Sequence, residues 1–232
     1  MRPLAPRREM RILLAMRMNS PKHLRRDKNT KPDTTGVLLD ESITRGPINL
    51  AELFENDHPL EVEIGVGKGT FLVTRALARP EVNFLGVEYA RAYAHHAADR
   101  CRRRGLSNAR MLHTDAGALF KDCMPDASLW RVHIYFPDPW PKQRHKRRRL
   151  IQPAFAREVR RTLKPGGQFI VVTDHMDYFL QIRRVLNDLS GMASIPMPKM
   201  ADNEGEIVGT NFERKYIAQG RPFYSTAKMK YV

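Results

Sequence analysis

The sequence predicts an α/β domain, a mostly parallel sheet with helices on both faces. Three observations carry that expectation. From about Leu60 onward, short apolar runs alternate with stretches of helical length. The first run leads into a glycine loop, Glu63-Ile64-Gly65-Val66-Gly67-Lys68-Gly69. Later runs end in a carboxylate, at Glu88, Asp115, Asp138 and Asp174. In open sheets of this kind ligands bind beyond the C-terminal ends of the strands, so these residues form the candidate site.

Taken in order, Glu61–Val66 reads as a buried strand and Phe71–Ala78 as a helix stopped by Pro80. Asn83–Tyr89 is the second strand, and Arg91–Arg104 a helix closed by Gly105. Ala109–Thr114 is the third strand and Leu129–Phe136 the fourth, which ends in Pro137-Asp138-Pro139-Trp140. Leu150–Leu163 is a helix closed by Lys164-Pro165-Gly166-Gly167, and Gln168–Thr173 a fifth strand. Tyr178–Leu189 is a further helix. Trp130 is expected in the core, and His95 and His96 read as surface or core histidines rather than ligands.

Composition bounds the partner. The 232 residues suit one domain with a sizeable core, 42% of them apolar. Lys and Arg total 40 against 25 acidic residues, a formal charge of +15. Such an excess draws polyanions, nucleic acid before an anionic membrane surface. No apolar run is long enough to span a bilayer, so no membrane partner is expected. Cys101 and Cys123 make neither a metal cluster nor a disulfide framework, which agrees with a reducing cytoplasm. Residues 1–35 are rich in Arg, Met and Pro and read as a disordered basic tail ahead of a domain over 36–232. An RNA-holding arm and an organellar transit peptide are the other readings of that stretch.

The glycine loop fails two phosphate-binding patterns. A P-loop needs Ser or Thr after its Gly-Lys, and Lys68 is followed by Gly69. The dinucleotide fingerprint needs a third glycine at Thr70, which disfavours a nicotinamide oxidoreductase. Glu63, just before the glycines, would repel a pyrophosphate but suits a ligand with a cationic amino-acid end. S-adenosylmethionine carries such an end, together with a sulfonium. On that reading Gly65 and Gly67 let the cofactor approach, Glu88 accepts from its ribose hydroxyls and Asp115 from its adenine amino group.

The fourth strand end is the most specific stretch. Prolines on both sides of Asp138 fix its backbone, and Trp140 offers a face for a base that has left its stack. Lys142 through Arg149 are nearly all cationic, which suits phosphate contacts.

These motifs resemble the tRNA (guanine-N7-)-methyltransferases of the bacterial TrmB type. The matching pieces are the Glu63–Gly69 loop, Gly86-Val87-Glu88, Asp115-Ala116, Phe136 to His145, Thr173-Asp174 and Thr210-Asn211-Phe212-Glu213. They run in order from about Glu61 to Gly220. The resemblance implies a Rossmann-like class I methyltransferase domain with a seven-stranded sheet. It implies S-adenosylmethionine as methyl donor, no metal, and tRNA as partner, with the chain a monomer or a homodimer. The target would be N7 of a guanosine in the variable loop, conventionally position 46. Glu63, Gly65, Gly67, Glu88 and Asp115 would hold the cofactor. Asp138 would be the active-site acid and touch the cofactor too. Lys142, Asp174, Thr210, Asn211, Phe212 and Glu213 would bind substrate. Two other readings are weaker. Methylation of an exocyclic amine wants an Asp-Pro-Pro-aromatic order, which Asp138-Pro139-Trp140-Pro141 lacks. A non-catalytic RNA-binding protein would not need every cofactor acid.

Overall fold

The computed structural model describes residues 31–201 and 203–231. Of the expected tail, residues 1–30 lie outside the described residues. Residue 33 is already tied to the domain: the Asp33 N–H donates to Asp99 Oδ1 at 3.0 Å, and its carboxylate pairs with Arg102 at 2.8 Å.

The elements run α1 (Leu50–Phe54), β1 (Leu60–Ile64), α2 (Thr70–Ala78), β2 (Asn83–Glu88), α3 (Arg91–Arg103) and β3 (Ala109–His113). A short α4 (Ala116–Ala118) then winds into a π turn over Leu119–Cys123. There follow β4 (Leu129–Tyr135), α5 (Pro153–Thr162), β5 (Leu163–Thr173), α6 (Met176–Asn187), β6 (Met192–Ile195), α7 (Asn211–Ala218) and β7 (Tyr224–Lys230). One seven-stranded sheet takes the order β3-β2-β1-β4-β5-β7-β6. The first five strands are parallel, and β7 runs antiparallel between β5 and β6. Among the described residues no helix is long and apolar enough to cross a membrane.

Strand alternation divides the core. Val62, Ile64, Val132, Ile134 and Val171 point to the face covered by α5 and α6. On the other face Leu72 and Val73 of α2 and Ala97, Ala98 and Cys101 of α3 pack on Phe84 and Met111. Strand order reverses between β1 and β4, and the ends of β2, β1 and β4 are level because Ile64 pairs with both Val87 of β2 and Ile134 of β4. A crevice opens at such a reversal, and the motifs of the sequence converge there.

Two elements differ most from the sequence reading. Helix α5 begins at Pro153, not Leu150, with proline at its first position, where its missing N–H costs nothing. Strand β5 begins at Leu163, which pairs with Leu129; the register then shifts, and the ladder with β4 resumes at Gln168. The Pro165-Gly166-Gly167 stretch thus lies in a sheet irregularity, a place where those residues are tolerated. Trp130 is a correction: it is 37% exposed, with the Arg131 guanidinium 5.8 Å from its ring.

Candidate active site

A cavity of about 1020 Å³ opens at the crevice. The ends of β1, β2 and β3 form one wall with Glu63, Glu88 and Asp115; Asp138, Trp140 and Phe212 belong to the opposite wall.

The three acids of the first wall are held differently. Glu63 is 5% exposed, and its Oε2 is buried with no hydrogen-bond partner among the described residues. Burial pushes its carboxyl well above the ordinary 4.5; the Leu72 N–H opposes this, and the charge of Glu88 adds to it. Glu88 Oε2 accepts from the Gly67 N–H and Oε1 from the Ala90 N–H, both at 2.9 Å. It therefore fixes the glycine loop, while each oxygen keeps a lone pair for ribose hydroxyls. Asp115 Oδ1 caps α4 through the Ala118 N–H at 2.8 Å. Gly65 and Gly67 sit at φ +78° and +51°, and a Cβ on either would point into open space. Opposite the loop, Arg100 holds the Lys68 carbonyl, and it reaches Thr70 Oγ1 at 3.2 Å. An orphaned buried carboxylate oxygen beside side-chain-free backbone fits the cationic nucleoside cofactor expected from the sequence.

Beneath this wall a polar seam crosses β1 and β4. Tyr135 Oη donates to His133 Nδ1 at 2.8 Å, and His133 Nε2 meets Glu61 Oε2 at 2.9 Å. Arg131 Nη1 donates to Glu61 Oε1, also at 2.8 Å. Burial lowers the His133 imidazole against the pull of Glu61, so the neutral ring donates from Nε2. Burial pushes Glu61 up, but His133, Arg131 and Arg75 outweigh it and bring the carboxyl down to about 2. Phe71 packs on both His133 and Tyr135, with ring centres 4.9 and 4.8 Å apart. The sequence reading singled out none of Glu61, His133 or Tyr135; period-two alternation sets Glu61 with Glu63 and His133 with Tyr135, and the pairing of Glu63 with His133 brings the two sets to one face.

The second wall revises several expectations. Phe136 and Trp140, on either side of Pro137-Asp138-Pro139, both take left-handed backbone, with φ 52° and 41°. Asp138 is exposed at the cavity. One face of Trp140 is covered by the Arg148 guanidinium at 5.0 Å, and the His145 ring meets it edge-on at 6.0 Å. The basic run is not uniformly free for phosphate. Lys142, Arg144 and Arg147 are exposed, but Lys146 pairs with Asp177 at 3.0 Å. Arg149 is 2% exposed and lies inside the protein. Two hydrogen-bonded cations, Arg149 and then Lys146, hold Asp177 down to about 2.

The Thr210–Glu213 stretch also divides. Thr210 Oγ1 caps α7 through the Glu213 N–H at 3.1 Å, and Asn211 Nδ2 donates to Thr70 Oγ1 at 2.8 Å. Phe212 is 53% exposed, its ring 5.9 Å from that of Phe136. Glu213 is fully buried and accepts from the N–H groups of Ile207, Val208 and Gly209. Its two oxygens are committed to its own loop, which argues for a structural role in place of the expected substrate contact. Asp174 stands outside the cavity and pairs with Arg221 at 3.0 Å. Lys215, which sequence reasoning missed, lines the cavity one helical turn beyond Asn211.

Comparisons with known proteins agree with this architecture. A family model described as "Putative methyltransferase" matches residues 57–226. The tRNA (guanine-N(7)-)-methyltransferase of Nitrosococcus oceani is 42% identical over 178 residues, which span 75% of this chain and 73% of that protein. The protein of the same name from Rhodopirellula baltica is 36% identical over 220 residues, 92% of this chain and 81% of its own length. Among solved structures, the antibiotic-resistance methyltransferase Kmr superposes with a TM-score of 0.53 at 16% identity, covering 78% of this chain and 91% of that one. A SAM-dependent methyltransferase from Aquifex aeolicus gives 0.51 at 13% identity, over 83% and 99% of the two chains. At such identities the likeness is one of fold.

Proposed function

Because this chain belongs to the tRNA (guanine-N(7)-)-methyltransferase family, we propose that it methylates N7 of a guanosine in tRNA with S-adenosylmethionine as donor. The target we infer lies in the variable loop, at the position conventionally numbered 46. One observation carries the reading: Glu63, Glu88 and Asp115 share a single cavity with Asp138 and Trp140. Cofactor acids and a base-sized platform therefore face each other across one space.

S-adenosylmethionine, when bound, supplies a methyl group on a positively charged sulfur. Glu63 offers its orphaned oxygen to the ammonium end, Glu88 accepts from the ribose, and Asp115 accepts from the adenine amino group. Guanine N7 has an in-plane lone pair and no proton, so attack needs no general base. The protein's part is then positioning. Asp138 accepts hydrogen bonds from the Watson–Crick edge of the base, which selects guanine. Its negative charge also offsets the positive charge that develops on the methylated ring. Trp140 and Phe212 bound the base from the sides, and Lys142, Arg144 and Arg147 meet the phosphate backbone from solvent.

The test is incubation with unmethylated tRNA and methyl-labelled donor, followed by nucleoside analysis. Label in 7-methylguanosine is the expected result. Label on an exocyclic amine would overturn the N7 assignment.

A further inference from the structure

We propose that Arg149 is a positioning residue for this methyl transfer: it anchors the Pro137–Trp140 turn, and with it Asp138 and Trp140, to helix α6. The inference rests on the reaction assigned above. It removes Arg149 from the set of phosphate contacts, where its place in a cationic run would put it.

The geometry is specific. The Arg149 side chain is 1% exposed, so no phosphate reaches it. Its Nε donates to the Pro139 carbonyl at 2.8 Å, inside the turn. Its Nη1 donates to Gln181 Oε1 at 2.8 Å and its Nη2 to Asp177 Oδ2 at 2.5 Å, both on α6. The guanidinium lies 4.8 Å from the centre of the Tyr178 ring, and Tyr178 Oη accepts from the Ile151 N–H at 3.0 Å. One planar group thus ties the turn to Asp177, Tyr178 and Gln181 of α6, the first and last of which share one helix face. A lysine at this place has no fork with which to meet three separated acceptors.

The turn needs such an anchor. Phe136 and Trp140 hold left-handed backbone without being glycine, and such conformations persist only where the surroundings over-determine them. Pro137 and Pro139 lack an N–H, so the turn has few donors with which to brace itself. The Pro139 carbonyl sits between Asp138 and Trp140, and the Arg149 bond to it fixes both neighbours. A buried cation is costly unless its hydrogen bonds are met, and here an exposed carboxylate, an amide oxygen and a backbone carbonyl meet them.

The experiment uses the full chain with Trp130→Phe, which leaves Trp140 as the one tryptophan, since the sequence holds 2. Arg149→Lys is expected to lower kcat roughly 10- to 100-fold, with S-adenosylmethionine Kd within about threefold of the parent. Acrylamide should quench Trp140 more readily. The slope of log K for tRNA against log salt should stay the same, whereas Arg144→Gln with Arg147→Gln should flatten it by roughly 0.7–0.9 per contact. Should Arg149→Lys fail to fold by circular dichroism, Gln181→Met removes one anchor and leaves the cation paired. It should show the same quenching change and a kcat loss of roughly 3- to 10-fold. A kcat within twofold of the parent in a folded variant overturns the proposal. So does a flattened salt slope for Arg149→Lys, or a loss of kcat with Trp140 unmoved. A parent enzyme that labels no guanosine would break the assigned reaction instead. The quenching and salt readouts would still judge Arg149, since neither needs turnover.

Discussion

The two walls of the cavity spend their charged residues in opposite ways. On the β1–β3 wall, the acids that close the strands all face the cavity, and two of them also brace the backbone next to it. On the β4–α7 wall, the charged motif is split between surface and interior. Asp138, Arg144 and Arg147 face outward, while Arg149 and Glu213 are buried and bond to backbone. A small cofactor can be met by a rigid cup of short loops. A folded RNA needs a projecting platform, and a projecting platform needs internal struts. Arg149 and Glu213 supply them.

Four experiments can break or sharpen that contrast. The largest effect belongs to the exposed acid of the second wall. Asp138→Asn should lower the methylation rate by about 10²–10³, the scale of one lost preorganised electrostatic contact, with cofactor affinity nearly unchanged. A rate within tenfold of wild type would place the charge stabilisation elsewhere. The pH–rate profile is expected to show no essential base near neutrality, since N7 carries no proton.

Glu88→Ala acts on the first wall, where one carboxylate serves both loop and ligand. S-adenosylmethionine binding should weaken by about 1–3 kcal/mol, read by calorimetry. Unchanged affinity would remove Glu88 from the cofactor site. Glu213→Gln is its counterpart among the struts. An amide offers one acceptor where the carboxylate meets three N–H groups, so thermal stability should fall by roughly 1–3 kcal/mol. Folded protein should keep its tRNA affinity; a loss of affinity at unchanged stability would return Glu213 to the substrate contacts.

The smallest effect is the proton held by Glu63. Its folded value lies above the ordinary 4.5, so its contribution to stability is full below 4.5 and is lost as pH rises through the raised value. Ligand binding runs the other way, because a cationic ammonium favours the ionised carboxylate. In the empty protein, melting at a series of pH values should show wild type losing stability relative to Glu63→Gln across that window. Binding by wild type should tighten with pH over the same window, with proton release visible as a buffer-dependent heat. Equal pH dependence in the two proteins would separate Glu63 from the ammonium.

How much of this was legible in the sequence follows the same division. The first five strands and their order of use could be read, because each is a short apolar run ending at a Gly or an acid. Strands β6 and β7 escaped: Met192–Ile195 is four residues long, and Tyr224–Lys230 alternates with Ser, Thr and Lys, so neither stands out from a loop. Within the site, Glu63, Glu88 and Asp115 line the cavity as expected, because residues at the C-terminal ends of parallel strands meet at the crevice. The burial of Arg149 and Glu213 was not legible, because adjacency in a motif says nothing about burial. Burial of Arg149 depends on α6, a contact made over tertiary distance, whereas Glu213 turns inward to the backbone of its own 207–209 loop. Trp130 was misplaced for a related reason: the register shift between Leu129 and Arg131 turns its side chain outward.

The position of β7 bears on how the chain is built. β7 lies between β5 and β6, so residues 192–195 have no ladder partner until residues 224–230 exist. Synthesis delivers the glycine loop and its three acids well before residues 224–230, but a domain folds as a unit, so the sheet closes only when β7 arrives. Helix α7, which carries Asn211, Phe212 and Lys215 to the cavity, leads directly into β7. The wall that would meet RNA is therefore made after the cofactor wall, and its α7 is set in place by the same late strand that closes the sheet.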